Sequence, residues 1–542
     1  MKNSCGFIEG RWLSFALALC ILFVVSLSSS FKLPEGILVD PFHYGEYFAL
    51  LTSLFGAQSS INPLTIHGAL DYVPGLVAQK IFGGNDYFFP TWLIYRLLDF
   101  VAAIFLLTIV FQMVKNNPQR FIILLGVAIV APFLVEYRDV ALLLGIILYF
   151  LIQEKHNPVI NLVLEISFGL VVALGLFWSF DRGIAGMVAL GAASIIYAYQ
   201  KRQYIISLFV FIVSVVTFGF FSPELSLSNY LENVKFLVAT SSNWSYGWNE
   251  DTVILTALLG LTNILANWLL WSSIVKSKTI GEHSANALFL SILSLIFFKI
   301  GINRADTIHI LWGLWSPMLM CIYWFSSKHE EKLGNYLIVA LNIALYSILV
   351  IGITFRLVAL APIFTLGILG MISVLIKDAS KLVRNFVAAT LLLPIAYTIY
   401  LFSYGVAMGD YRWINYYHSL PSNSAMATDG VRWVSQELTN SGSHCVFDLS
   451  NNGVINGLTG LPACTRFTYL VYADQRYEDE IIRSVRGRKP KAIVYSSTFW
   501  SFSIDRKPMP ARFPILNKYL LENYPQEKCS YGYCVRYLGV TE

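Results

Sequence analysis

Charge is what this chain has least of. Only 13% of its 542 residues are Asp, Glu, Lys or Arg, while 56% are hydrophobic. A soluble domain carries about 25% charged residues, so the composition excludes an ordinary soluble enzyme. Cysteine is scarce as well, with seven residues and no CxxC pair, which argues against a structural zinc site. There is no GxGxxG or GxxxxGK[ST] loop, and the two common phosphate cradles for nucleotides are thereby missing. The net charge of +5 is spread over many loops, without the basic face that nucleic-acid binding needs. No internal repeat or low-complexity segment stands out.

What remains is apolar length. A helix needs about 20 mostly apolar residues to cross the hydrocarbon, and about thirteen such runs precede residue 406. They lie near 12–31, 91–114, 121–135, 139–153, 158–178, 183–200, 204–221, 251–275, 284–302, 308–326, 333–354, 357–376 and 385–405. Lys and Arg recur in alternate loops, at Lys2/Arg11, Lys115/Arg120, Lys155, Lys201/Arg202, Lys276/Lys278, Lys328/Lys332 and Lys377/Lys381/Arg384. The basic bias assigns those loops to the cytoplasm. The predicted protein is therefore a polytopic α-helical protein of the inner (plasma) membrane, with a cytoplasmic N-terminus. The first run also has features of a cleavable signal peptide, a short apolar stretch followed by Ser28-Ser29-Ser30. Either way residues 32–90, 222–250 and everything after 406 are predicted outside.

Hydropathy falls at residue 411, dividing a membrane domain, 1–410, from a small exterior α/β domain, 411–542. In that tail Thr428-Asp429 predicts a capped helix to Leu438 and His444–Leu449 a strand. Helices over Gln475–Arg486 and Phe513–Tyr524, a strand over Lys491–Ser496 and a terminal strand pair around Gly532 complete it. Cys445, Cys464, Cys529 and Cys534 form an even set there. An oxidising compartment permits two disulfides, most simply Cys445–Cys464 and Cys529–Cys534 among three connectivities; four buried thiols are the alternative. In the first exterior loop, Asp40-Pro41 predicts a helix start running to Leu54. His67–Lys80 reads as an amphipathic piece along the membrane surface. Trp244, Tyr246 and Trp248 read as interfacial anchors in the loop 222–250, with stacking on a sugar face as the alternative.

Four charged clusters fall on the exterior side: Asp40/His43/Glu46, Glu136/Arg138/Asp139, Asp181/Arg182 and Arg304/Asp306/His309. Ionisable groups beside bilayer spans are costly to hold unless they pair, meet water or work. Asp40, His43 and Glu46 are spaced i, i+3, i+6, so consecutive members are helix neighbours. Asp306 and His309 share a face in the same way. A carboxylate offers a general base for a hydroxyl, and Arg304 with His309 offers the charge and donors to hold a phosphate. Each cluster has a plainer reading: a cap for Asp40, a self-neutralising turn for Glu136/Arg138/Asp139 and for Asp181/Arg182, and an Arg–Asp helix cap for Arg304. Carboxylates beside histidine also suit a divalent cation, although no specific spacing marks one.

With these motifs, the chain resembles the integral-membrane glycosyltransferases of the GT-C fold, in particular the bacterial lipid-carrier-dependent group of aminoarabinose and dolichyl-phosphate-mannose transferases. The likeness rests on the acids Asp40 and Glu46 in a long first exterior loop, Arg304-x-Asp306-x-x-His309 at a late exterior helix end, and a soluble tail. Within the tail it rests on Leu458–Phe467 and Arg488–Tyr495. The resemblance implies a polyprenyl-phosphate-linked sugar as donor and an exterior glycolipid, polysaccharide or protein as acceptor. It implies Asp40 as the catalytic base or acceptor-orienting acid and Arg304 as the residue that holds the donor phosphate. The chemistry of the clusters adds Glu46 as a second catalytic candidate and His43, Arg138, Asp306 and His309 as substrate-binding candidates. The chain departs from the paired-acid form of the motif, because no second aspartate adjoins Asp40. Two rival readings of the same clusters are a transporter or flippase and a non-catalytic envelope-assembly subunit.

Overall fold

The computed structural model describes residues 2–31, 43–56, 62–82, 86–114, 120–154, 156–201, 203–222, 225–241, scattered positions over 253–275, 282–304, 307–313, 315–326, 399–400, 402–411, 414, 416, 420–496 and 508–539. They divide into two compact units. The first comprises residues 1–32, 96–217 and 248–408, and the second 33–95, 218–247 and 409–542.

The first unit is helical. Lys2–Ser29, Arg120–Leu134, Val140–Ile152, Pro158–Trp178, Phe180–Lys201, Glu282–Arg304 and most of Phe88–Val114 and Ile205–Phe221 belong to it. Helix Lys2–Ser29 packs on Arg120–Leu134, while Glu282–Arg304 packs on Phe180–Lys201 and on Trp315–Ser326. Small side chains suit the contact with Phe180–Lys201, since Ala185, Ala189 and Ala193 are fully buried in the same apolar core as Phe289, Leu290 and Leu293 of Glu282–Arg304. Among the described residues five helical segments are long and apolar enough to span a membrane: Arg11–Ser29, Phe88–Val114, Pro158–Trp178, Phe180–Lys201 and Ser284–Asn303. The sequence-predicted runs at 121–135, 139–153 and 204–221 are helices of the expected place but shorter, Arg120–Leu134, Val140–Ile152 and Ile205–Phe221. The runs at 333–354, 357–376 and most of 385–405 lie outside the described residues.

Within the predicted run 308–326 the described helices are Thr307–Trp312 and Trp315–Ser326, and residue 314 lies outside the described residues. Gly313 ends the first, its N–H donating to the carbonyls of both His309 and Ile310 at 3.1 Å. Its α-carbon passes so near the preceding helix that an added Cβ would stand 2.8 Å from the Phe297 carbonyl oxygen.

The second unit is built from three stretches distant in sequence. Helices His43–Phe55, Val73–Phe82 and Leu227–Thr240 belong to the first two stretches, and Asp429–Asn440, Val454–Thr459, Glu478–Arg488 and Pro514–Asn523 to the third. An antiparallel sheet in the order β1–β3–β2 joins Ala492–Ser496 (β1), Tyr533–Tyr537 (β3) and Gln526–Ser530 (β2). The hairpin turns at Tyr531-Gly532, both with positive φ (51° and 77°), the conformation that suits a two-residue link between twisted strands. Thr428 caps its helix as predicted, accepting from Val431 N. The predicted strand His444–Leu449 is corrected to two isolated bridges, Val446 to Ala463 and Asp448 to Val494. Asp448 ends the extended course by accepting from Ser450 N at 2.7 Å and Asn452 N at 2.5 Å, which turns the chain. The loop assigned to 222–250 contains the helix Leu227–Thr240, capped by Ser226, while Trp244, Tyr246 and Trp248 lie outside the described residues.

The three stretches close on one another through polar bonds and close backbone approach. Thr65 N donates to Asn233 Oδ1 at 2.9 Å, Asn62 Nδ2 to Asn229 Oδ1 at 3.1 Å, and Ala463 N to Ser53 Oγ at 3.1 Å. Helix Val454–Thr459 lies against His43–Phe55, and a Cβ on Gly453 would stand 2.0 Å from the Gly45 carbonyl oxygen. Only glycine permits that approach. The disulfides are Cys445–Cys464 and Cys529–Cys534, the simplest pairing of the four tail cysteines.

Candidate active site

The second unit places Glu46 in the first turn of helix His43–Phe55. Its side chain is fully buried, and the Nε2 of His67, itself buried, stands 3.3 Å from Glu46 Oε2. Three tyrosines pack around this region. Tyr47 stacks on Tyr95 with centroids 4.5 Å apart, and Tyr44 meets Tyr95 edge-on at 5.4 Å. The Tyr95 hydroxyl donates to the carbonyl of Asp71, whose side chain is also buried. His67 and Asp71 thus depart from the predicted surface position of the piece 67–80, because their polar side chains are drawn into the core beside Glu46 and Tyr95. The later part, Val73–Phe82, keeps exposed apolar residues at Val77, Ile81 and Phe82. Asp40 lies outside the described residues; His43 begins the helix, with its side chain outside them.

The first unit assembles a second polar group. A 3-10 turn, Tyr137–Asp139, leads into helix Val140–Ile152. Glu136 N donates to Asp139 Oδ2 at 3.0 Å, and Tyr137 N donates to Asp99 Oδ1 at 2.7 Å. Asp99 is paired in turn with Arg96, one helical turn earlier, at 3.1 Å. Arg138 Nε donates to Glu136 Oε1 at 2.6 Å, and Arg182 Nη2 reaches the same oxygen at 3.1 Å. Arg182 also pairs with Asp139 at 3.4 Å through Nε and with its neighbour Asp181 through Nη1. Both guanidinia are buried. Two cations therefore share three carboxylates, and each buried charge has an opposite partner, as the low dielectric requires.

This group extends to the segment that carries His309. The guanidinium of Arg138 lies 5.6 Å from the ring centre of Trp312, and the His309 ring meets the same indole edge-on at 4.9 Å. Arg182 lies over Phe297 at 5.8 Å. The clusters Glu136/Arg138/Asp139 and Asp181/Arg182 and the helix Thr307–Trp312 are therefore one neighbourhood. Arg304 is the last residue of its helix with its side chain outside the described residues, and Asp306 lies outside them. The sequence reading missed Arg96, Asp99, Arg182 as a bridging residue, and Trp312. Arg96 and Asp99 carried a signal, since two opposite charges at i, i+3 interrupt an apolar run. Nothing local signalled that Arg182 reaches Glu136.

Among the described residues, the metal-type side chains that come close together are Glu527, Cys529 and Cys534. The last two are joined to each other as a disulfide, which removes both sulfurs as thiolate ligands.

No family model matches the chain, and no curated protein matches it. Solved structures do. The chain is similar to ArnT from Cupriavidus metallidurans bound to undecaprenyl phosphate, at 12% identity and a TM-score of 0.47 over 99% of both chains. It is similar to the apo state of the same protein at 12% identity and 0.49, over 98% of both. A third likeness is to the Archaeoglobus fulgidus oligosaccharyltransferase complex with Zn and sulfate, at 10% identity and 0.35, over 94% of this chain and 71% of that one.

Proposed function

We propose that this protein is a membrane glycosyltransferase that moves a sugar from a polyprenyl-phosphate carrier to an acceptor outside the cell membrane. The observation that carries the reading is the gathering of three charged segments of one predicted face, around Arg138, Arg182 and His309, into one neighbourhood. Transfer from a lipid phosphate makes two demands. The acceptor hydroxyl needs a base, and the departing phosphate needs its charge neutralised. Asp40 and Glu46 are assigned the first role. Arg304 and His309 are assigned the second, and Asp306 and His43 are assigned to substrate binding. Because Arg138 is already engaged by Glu136, its part is to hold the turn Tyr137–Asp139 and the indole of Trp312 in place.

A phosphate leaving group needs no protonation, so one base on the acceptor suffices and the displacement inverts the anomeric centre. The two disulfides fit an oxidising exterior for the tail. The test compares envelope glycans and lipid-linked sugars by mass spectrometry in a deletion strain, a restored strain and one restored with Asp40→Asn at matched abundance. Loss of one sugar in the deletion and Asp40→Asn strains, with its polyprenyl-phosphate donor accumulating, supports the assignment and names the sugar. Identical glycans in all three would move the reading to transport or assembly.

A further inference from the structure

We infer that a pocket in the Glu46-bearing unit is a binding site for a neutral saccharide. The pocket encloses about 380 Å³, the scale of a small-molecule site. Thr52, Gln79, Asp86, Ser422, Asn423 and Thr459 supply its polar lining. Hydroxyls and carboxamides of this kind both donate and accept. Leu51, Phe55 and Leu458 supply apolar wall, and the Phe55 side chain is 53% exposed. A sugar ring presents the matching surface, hydroxyls around its edge and C–H groups on its faces.

Charge narrows the ligand class. The described lining includes one carboxylate, Asp86, and neither lysine nor arginine. A phosphate, sulfate or uronate would meet an uncompensated negative charge there, and a bare lipid chain would leave the polar lining without water or partners. Asp86 can instead accept from two neighbouring sugar hydroxyls, a charge-assisted arrangement. Backbone bonds fix it in place for this. Asp86 Oδ1 accepts from Asn423 N at 2.9 Å, and Asn423 Oδ1 accepts from Phe88 N at 2.9 Å. The Thr52 hydroxyl donates to the Phe48 carbonyl at 3.0 Å, and its oxygen keeps acceptor capacity.

Leu51, Thr52 and Phe55 stand on the same helix as Glu46. Thr52 lies six positions beyond Glu46, about 9 Å along the helix axis, so the helix that carries the acid assigned to activate an acceptor hydroxyl also supplies part of the pocket wall. An acceptor role for a glycan held there rests on the transferase reading; the affinity for a neutral sugar does not.

The test is saturation-transfer NMR on the full-length protein in detergent, with methyl glucoside and methyl N-acetylglucosaminide as neutral probes and glucuronate as the anionic one. Transfer to a neutral probe and none to glucuronate is expected. Gln79→Ala, and Asp86→Asn, which keeps an oxygen to accept from Asn423 N, should each weaken neutral binding about tenfold, the scale of one lost hydrogen bond to a charged or well-held group, at an unchanged melting temperature. Gly487→Ala, outside the pocket lining, should bind as wild type. The proposal is overturned by transfer to glucuronate alone, by no transfer to either neutral probe, or by equal binding in both pocket variants. Neutral binding with unaltered glycans in the deletion strain would sink the transferase reading and leave the saccharide pocket standing. Intact transferase activity without saturation transfer would do the opposite.

Discussion

His67 Nε2 stands 3.3 Å from Glu46 Oε2, and both side chains are buried. A carboxylate out of water beside an imidazole has a proton partner at hand, so the pair can hold or pass one proton. Glu46→Gln keeps the shape and removes the charge. If Glu46 assists as a base, turnover should fall about 10²-fold or more, with KM for the lipid-linked donor little changed. A purely structural carboxylate would instead lower the melting temperature and leave kcat of the surviving protein as it was.

Arg182 joins three carboxylates, Glu136, Asp139 and Asp181. Arg182→Ala should strand buried negative charge at a cost of about 3–5 kcal/mol, seen as a lower melting temperature and reduced abundance in membranes. Arg182→Lys should recover only part of this, since an ammonium cannot reproduce the several directed bonds of the guanidinium.

Gly453 and Gly45 let two backbones meet. Gly453→Ala would put a Cβ 2.0 Å from the Gly45 carbonyl oxygen, and overpacking of this kind costs about 1–3 kcal/mol or more. Limited proteolysis should then cut the tail faster than in wild type, while Gly487→Ala, where nothing lies within 4 Å, should leave the digestion unchanged.

Cys445 and Cys464 close a short loop, separated by 19 positions. Non-reducing peptide mapping of protein taken from native membranes should recover the Cys445–Cys464 and Cys529–Cys534 pairs. Cys464→Ser should lower stability by about 2–4 kcal/mol. Cross-pairing would overturn this connectivity, and four free thiols would remove the argument for an oxidising exterior.

Hydrogen bonds from Lys528 and Tyr537 hold the Glu437 carboxyl below the usual carboxylate range. Burial, then the bond to Glu437, pushes the Tyr537 phenol up to about 12. A depressed carboxyl contributes stability that is present above its unfolded value and is lost as pH falls through its folded value. The tail should therefore weaken in acid below about pH 4.3, the ordinary value for glutamate. Glu437→Gln should flatten that limb at a cost of about 0.5–1 kcal/mol near neutrality, the size expected for a pair partly open to solvent.

Local signals in the sequence were enough for much of the fold. Apolar runs marked the helices of the first unit, Thr428 marked a helix start, and the spacing of Lys491–Ser496 and of the segment around Gly532 marked the sheet. Where an element fails to follow its own period, the reason is a contact from elsewhere. Gly313 ends the helix Thr307–Trp312 inside a longer apolar run where it passes Phe297, and Asp448 turns a strand-like segment by binding backbone amides. The candidate site was half legible. Its residue types stood out as charges in an apolar chain, but adjacent Asp181 and Arg182 gave no hint that the guanidinium crosses to Glu136 and Asp139.

By itself, the sequence determined that this is an apolar helical protein with a cysteine-bearing α/β tail, because hydropathy, capping and hairpin chemistry act over a few residues. Only the tertiary structure decided that residues 33–95, 218–247 and 409–542 form one unit, that His67 meets Glu46, and that the charged turns share partners. Those outcomes depend on close backbone approach at glycines and on the need of every buried charge for an opposite one, and both are satisfied by residues that lie far apart along the chain.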